Sequence, residues 1–165
     1  ERIPVEAFAR LSAADGYYGA VEVVGRRDLE VPRRNEIRLD QRTDVALGWL
    51  AFDGAETATS FPLRQAGLGV SARLSVDAWN RTNDGRAIAE IERRLVRKIR
   101  QWRPDVICTE PVADQGDRPP ADLINQIVLV AVERAADPTM YTDQLSVAGL
   151  DAWQVKKVFE TLSIG

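Results

Sequence analysis

The chain has 165 residues, a single cysteine and no histidine, and 22 basic against 25 acidic side chains give it a net charge of −3. That length suits one domain with room for a buried core, and the lone Cys108 excludes an internal disulfide framework. Without histidine this chain has no Ser-His-Asp or Cys-His nucleophile, no imidazole base and no imidazole metal ligand, and the acidic balance argues against a nucleic-acid partner.

The chain opens Glu1-Arg2-Ile3-Pro4, with no methionine and no basic-then-apolar leader. It is therefore expected to be a processed product or a piece of a longer chain, whose other domains are candidate partners. Tyr17-Tyr18-Gly19-Ala20-Val21-Glu22-Val23-Val24 is rich in aromatic and β-branched residues and ends at Gly25, which predicts a strand. Residues 26–44 are charged, contain Pro32 and read as a loop or a short exposed helix. The apolar run 45–52, centred near Leu47, has strand length and stops at the turn dipeptide Asp53-Gly54. Val70, Ala72, Leu74 and Val76 alternate with Ser71, Arg73, Ser75 and Asp77, and that period of two predicts a half-buried strand. Asn83-Asp84-Gly85 is a further turn signal.

From Arg86 the pattern changes. Ile88, Ile91, Leu95, Ile99 and Trp102 form one helical stripe over 86–103, closed by Pro104. Val106-Ile107-Cys108 reads as a short buried strand. Residues 110–120 form a Pro/Gly/Asp loop, and 122–136 is a nearly all-apolar helix, expected to be buried. Val155, Val158, Phe159 and Leu162 predict a final helix over 152–162. This order is the grammar of a three-layer α/β domain with a mainly parallel sheet. Its strands lie near Val21, Leu47, Leu74 and Ile107, in a strand/turn-rich part (1–85) followed by a helix–strand–helix part (86–165). The longest apolar run, 127–132, is far short of the ~20 residues that span a bilayer. No membrane span is expected, and the chain reads as soluble, either cytoplasmic or secreted without disulfides.

Several local patterns carry candidate chemistry. Gly67-Leu68-Gly69-Val70-Ser71-Ala72 has the letters of a dinucleotide fingerprint, which needs a strand before it and a helix after it. Ser60-Phe61-Pro62-Leu63-Arg64 is a poor strand and the following residues alternate, so the segment reads as a turn. Arg86, Arg93, Arg94, Arg97, Lys98, Arg100 and Arg103 give the 86–103 helix a basic face, read as solvated, with cations that suit its C-terminus. Asn80-Arg81-Thr82 has the letters of a glycosylation sequon. Trp49, Trp79, Trp102 and Trp153 are candidates for a sugar platform, with Trp102 and Trp153 in register to pack on helix faces instead.

Glu110, Asp114, Asp117, Arg118 and Asp122 cluster beyond the carboxyl end of the 106–108 strand, where α/β sheets place their ligands. Such carboxylates suit acid–base work or a hard cation such as Mg²⁺ or Ca²⁺. The bland alternative has Asp122 capping the next helix and the others solvated.

The segment 95–107, with its Arg103-Pro104-Asp105-Val106, resembles the helix-into-strand passage of the PIG-L (LmbE-like) zinc-dependent sugar N-deacetylases. Ala135-Ala136-Asp137-Pro138 and the tail from Gly149 to Phe159, with Trp153-Gln154-Val155-Lys156-Lys157, are similar to the same family. The resemblance runs over roughly Ile88 to Phe159 and implies a Rossmann-like α/β fold and a site for N-acetylglucosamine-type substrates. The family holds zinc through an early Ala-His-Pro-Asp-Asp-Glu motif and a later His-Pro-Asp-His motif. The early motif is absent here, and the later one falls on Arg118-Pro119-Pro120-Ala121. Arg118 then stands where the oxyanion-stabilising histidine would be, and Ala121 where the zinc ligand would be. The resemblance thus implies a degenerate, non-catalytic relative, with no metal or other cofactor. Its role is binding or structural, and a carbohydrate or amino sugar is then the candidate ligand of the acidic loop's Glu110, Asp114, Asp117, Arg118 and Asp122. Should catalysis persist, Glu110, Asp117 and Arg118 are its candidates. Two alternatives stay open: a metal-dependent hydrolase built on the carboxylates Glu110, Asp114, Asp117 and Asp122, and an interaction module of a larger multidomain protein.

Overall fold

The structure is a computed structural model that describes Arg10, residues 15–24, Val45, and residues 55–58, 72–109 and 119–160. The chain divides into two compact units, Glu1–Leu68 and Gly69–Gly165.

In the first unit, β1 (Val21–Val24) runs parallel to β2 (Ala55–Ala58), with Val21 opposite Ala55 and Val24 opposite Ala58. The strand expected over 17–24 is thus confined to its β-branched end, and Tyr17 and Tyr18 precede it exposed. The sequence Ala55-Glu56-Thr57-Ala58 carries no apolar alternation, so only its partner reveals it as a strand. The expected strand near Leu47 lies outside the described residues.

The second unit contains α1 (Ala72–Thr82), α2 (Ala87–Trp102), β3 (Val106–Thr109), α3 (Pro119–Ala136), α4 (Thr142–Ser146) and β4 (Lys157–Glu160). β3 and β4 are parallel, with Val106 opposite Lys157 and Thr109 opposite Glu160. The protein is therefore a mixed α/β chain with parallel strand pairing. Parallel neighbours need a crossover between them, and here α3 and α4 lie in that connection.

α1 replaces the strand expected over 70–76. The alternating residues are not the buried ones: Leu74 is 60% exposed, while Ser75 and Trp79 are buried at 2% and 1%. A spacing of four is helical, and the bulky Trp79 decides which face turns inward. Asp84 and Gly85 take positive φ, and the Gly85 N–H donates to the Asn80 carbonyl at 2.9 Å, closing the helix. The Asn80 side chain does not stand free as a sequon would present it. Its Oδ1 accepts the Ala87 N–H at 3.0 Å and so caps α2.

α2 keeps the middle of the predicted stripe, burying Ile91, Leu95 and Ile99 together with Val96, while Ile88 is exposed and Trp102 half-buried. It ends on Arg103 in the left-handed conformation, whose N–H donates to the Ile99 carbonyl at 2.8 Å, just before Pro104. Its principal partner is α3. Ala87, Ala131 and Ala135 are fully buried, and such small side chains let helix backbones approach closely. Each fully buried Ile, Leu or Val contributes roughly 1.5–3 kcal/mol of apolar transfer free energy. α3 is buried on one side through Ile127, Val128, Ala131 and Ala135, but Leu129 and Val130 face outward, so it is not the fully enclosed helix its composition suggests.

The final helix expected over 152–162 is corrected to β4. Val155 is buried, but Val158 and Phe159 pair with Ile107 and Cys108 of β3. The N–H groups of Lys156 and Lys157 both donate to the Asp105 carbonyl, at 2.9 and 3.2 Å, which starts the ladder. Backbone pairing with β3 overrides a short apolar pattern that fits either element.

Candidate functional site

Because β3 and β4 are parallel, their carboxyl ends, Thr109 and Glu160, lie at one edge of the pair. β3 ends at Thr109, and the next described element, α3, begins at Pro119. Proline suits a helix's first position, where its missing N–H would be unpaired anyway. In open α/β sheets ligands bind beyond the carboxyl ends of the strands, often at the N-terminus of the helix that follows.

Of the residues the sequence singles out, Glu110, Asp114, Asp117 and Arg118 lie outside the described residues. Asp122 is described, and it sits within the first turn of α3. It is not the cap, because the helix begins at Pro119 and Asp122 is already inside it. The residue is half-buried, and its Oδ1 is shut off from solvent without a hydrogen-bond partner among the described residues. A carboxylate oxygen closed off from solvent gains from a hydrogen-bond donor.

The donor set does not fit the zinc of the resembled family. The chain has no histidine, residue 121 is alanine, and among the described residues no three His, Cys, Asp or Glu side chains converge. Cys108 lies exposed on β3, its thiol pushed above its ordinary pKa by desolvation.

The dinucleotide-like segment is followed by a helix after all, since α1 starts at Ala72. Residues 59–71 are outside the described residues, so the preceding half of that pattern has no described counterpart.

The basic face of α2 is only partly solvated. Arg100 is 1% exposed and lies under the C-terminal end of α3. Its Nε donates to the Ala135 carbonyl at 3.2 Å, and its Nη2 to the carbonyls of Arg134, Asp137 and Met140 at 3.1, 2.9 and 2.9 Å. Its Nη1 reaches the Tyr141 carbonyl at 3.2 Å and Gln144 Oε1 at 3.3 Å. The rigid five-donor fork of arginine matches this ring of oxygens where lysine could not. Desolvation pulls the guanidinium below its ordinary pKa, opposed by the charges of Asp137 and Asp143.

Around this centre the buried Glu92 accepts from Arg134 and from the Tyr141 hydroxyl, and Arg93 pairs with Asp143. Gln144 Nε2 donates to the Arg93 carbonyl at 3.0 Å. The Arg93 guanidinium also lies 5.5 Å from the Tyr141 ring centre. These groups satisfy one another, so the cluster holds the 134–144 segment on α2 and offers no vacant donor set. Sequence reasoning missed it, because a burying partner for an arginine of a basic helix leaves no local mark. The one sequence clue is that Arg100 follows the buried Ile99 and lies four positions after Val96.

The indoles differ from expectation in the same way. Trp79 is core. Trp102 is half-buried, with the Lys98 ammonium 5.0 Å from its ring centre. Trp153 is on no helix: its Nε1 donates to the Pro104 carbonyl at 2.8 Å, and Arg103 lies over its ring. Trp49 lies outside the described residues.

No helix among the described residues is long and apolar enough to cross a membrane. No family model matches the sequence, and no curated protein matches it. Among solved structures, the fold is similar to that of the conserved protein TT1542 from Thermus thermophilus, with a TM-score of 0.56 and 16% sequence identity. The likeness covers 95% of this chain and 59% of that one, so the chain spans about three fifths of its neighbour's length. At that identity the likeness speaks for the fold alone.

Proposed function

We propose that the chain is a degenerate PIG-L-like deacetylase domain, three-layered and Rossmann-like, that binds an amino sugar without hydrolysing it. The observation that carries this reading is Asp122. Its Oδ1 is enclosed without a donor among the described residues, in the first turn of the helix that follows the carboxyl end of β3. Sugar hydroxyls and a protonated amine are donors of the kind this oxygen lacks. The family resemblance supplies the substrate class: its Arg103-Pro104-Asp105-Val106 covers the passage from α2 into β3. The missing histidines and Ala121 supply the loss of hydrolysis, since a zinc-activated water needs about three protein ligands and an open position. Glu110, Asp114, Asp117 and Arg118 complete the proposed ligand set.

The test is calorimetry with glucosamine and N-acetylglucosamine on the wild type and on Asp122→Asn and Asp117→Asn, with acetate release assayed in parallel with and without added zinc. The expected result is binding that weakens at least tenfold in both variants, with no acetate released. No heat with either sugar would end the amino-sugar reading.

The same enclosed oxygen also suits a hard cation, which keeps a second reading in play: a hydrolase whose metal is held by Glu110, Asp114, Asp117 and Asp122. Titration with Mg²⁺, Ca²⁺ and Zn²⁺ separates the two. Stoichiometric binding tighter than micromolar, abolished in Asp122→Asn, favours the hydrolase, and its absence removes it.

A further inference from the structure

We draw no further inference here: the strongest candidate, the outward face of the β3–β4 pair carrying Val106, Cys108 and Phe159, is an apolar surface without a partner among the described residues, and nothing in the structure shows what covers it.

Discussion

The carbonyl oxygen of Ala135 accepts two hydrogen bonds at once, from Arg100 Nε at 3.2 Å and from the backbone N–H of Trp153 at 2.9 Å. One oxygen at the end of α3 thereby joins α2 to the segment that leads into β4. The shared acceptor places the buried Arg100 side chain where the helix pair meets the segment leading into the strand pair.

Replacing Arg100 with methionine keeps the apolar stem and removes every donor. The carbonyls of Arg134, Ala135, Asp137, Met140 and Tyr141 would each lose a partner. Breaking a buried polar set from one side costs about 3–5 kcal/mol, and urea unfolding should report a loss of that size. Arg100→Lys keeps the charge but not the fork, and should recover less than half of it. A loss under about 1 kcal/mol in the methionine variant would contradict the network, that being the scale of one ordinary hydrogen bond.

Tyr141 gives the fold an alkaline limit. Burial first, and then its bond to Glu92, raise the hydroxyl above the ordinary value of 10.0, with Arg134 pulling the other way. The folded state therefore holds this proton more tightly than the unfolded chain does. The associated stability is complete below the unfolded value and is lost as pH rises through the higher folded one. Tyr141→Phe should be less stable than the wild type by about 1–2 kcal/mol at pH 7, since it removes a hydrogen bond to a charged group. The gap should close above pH 10 in denaturant titrations, whereas a gap constant from pH 7 to 11 would rule the linkage out.

Asn80→Ala should cost about 1 kcal/mol, because the Ala87 N–H at the start of α2 loses its side-chain acceptor. Asn80→Asp keeps an acceptor there and should be close to neutral. Thermal unfolding of the two variants side by side checks the pair.

Cys108 is exposed, yet its thiol is pushed upward by desolvation. Since the thiolate is the reactive form, iodoacetamide should modify the native chain at pH 8 more slowly than it modifies a free cysteine peptide. Adding urea should erase the difference. Equal rates in the native chain would show that the β3 environment leaves the thiol unshifted.

The parts legible in the sequence are those whose signal is local and long. α2 has four full turns of apolar stripe and a proline stop, and it lies within a residue of where the pattern puts it. α3 is legible for the same reason, though its start needed Pro119 to be read as a first helical residue. β3 is legible because Val106-Ile107-Cys108 directly follows that stop. α1 and β4 are not. In α1 the period of two in Val70 to Val76 competes with a burial pattern set by one large side chain, Trp79. β4 is defined by its pairing with β3, a relation between residues some fifty positions apart. Of the candidate site, the sequence marks Asp122 through the acidic cluster and the placement rule for α/β sheets. The polar centre on Arg100 left only the clue of its place beside Ile99 and Val96, because nearly all its oxygens are backbone carbonyls and any residue type has those.

The parallel pairing of β3 with β4 also implies an expected order of events during folding. β4 has no place until the chain between Thr109 and Lys157 has been laid down, with α3 on α2 and residues 137–144 drawn around Arg100. Closing so long a connection costs entropy before any strand contact repays it. Within this unit, β4 is therefore expected to lock after the α2–α3 pair and to exchange its amides sooner, which native-state hydrogen exchange would check.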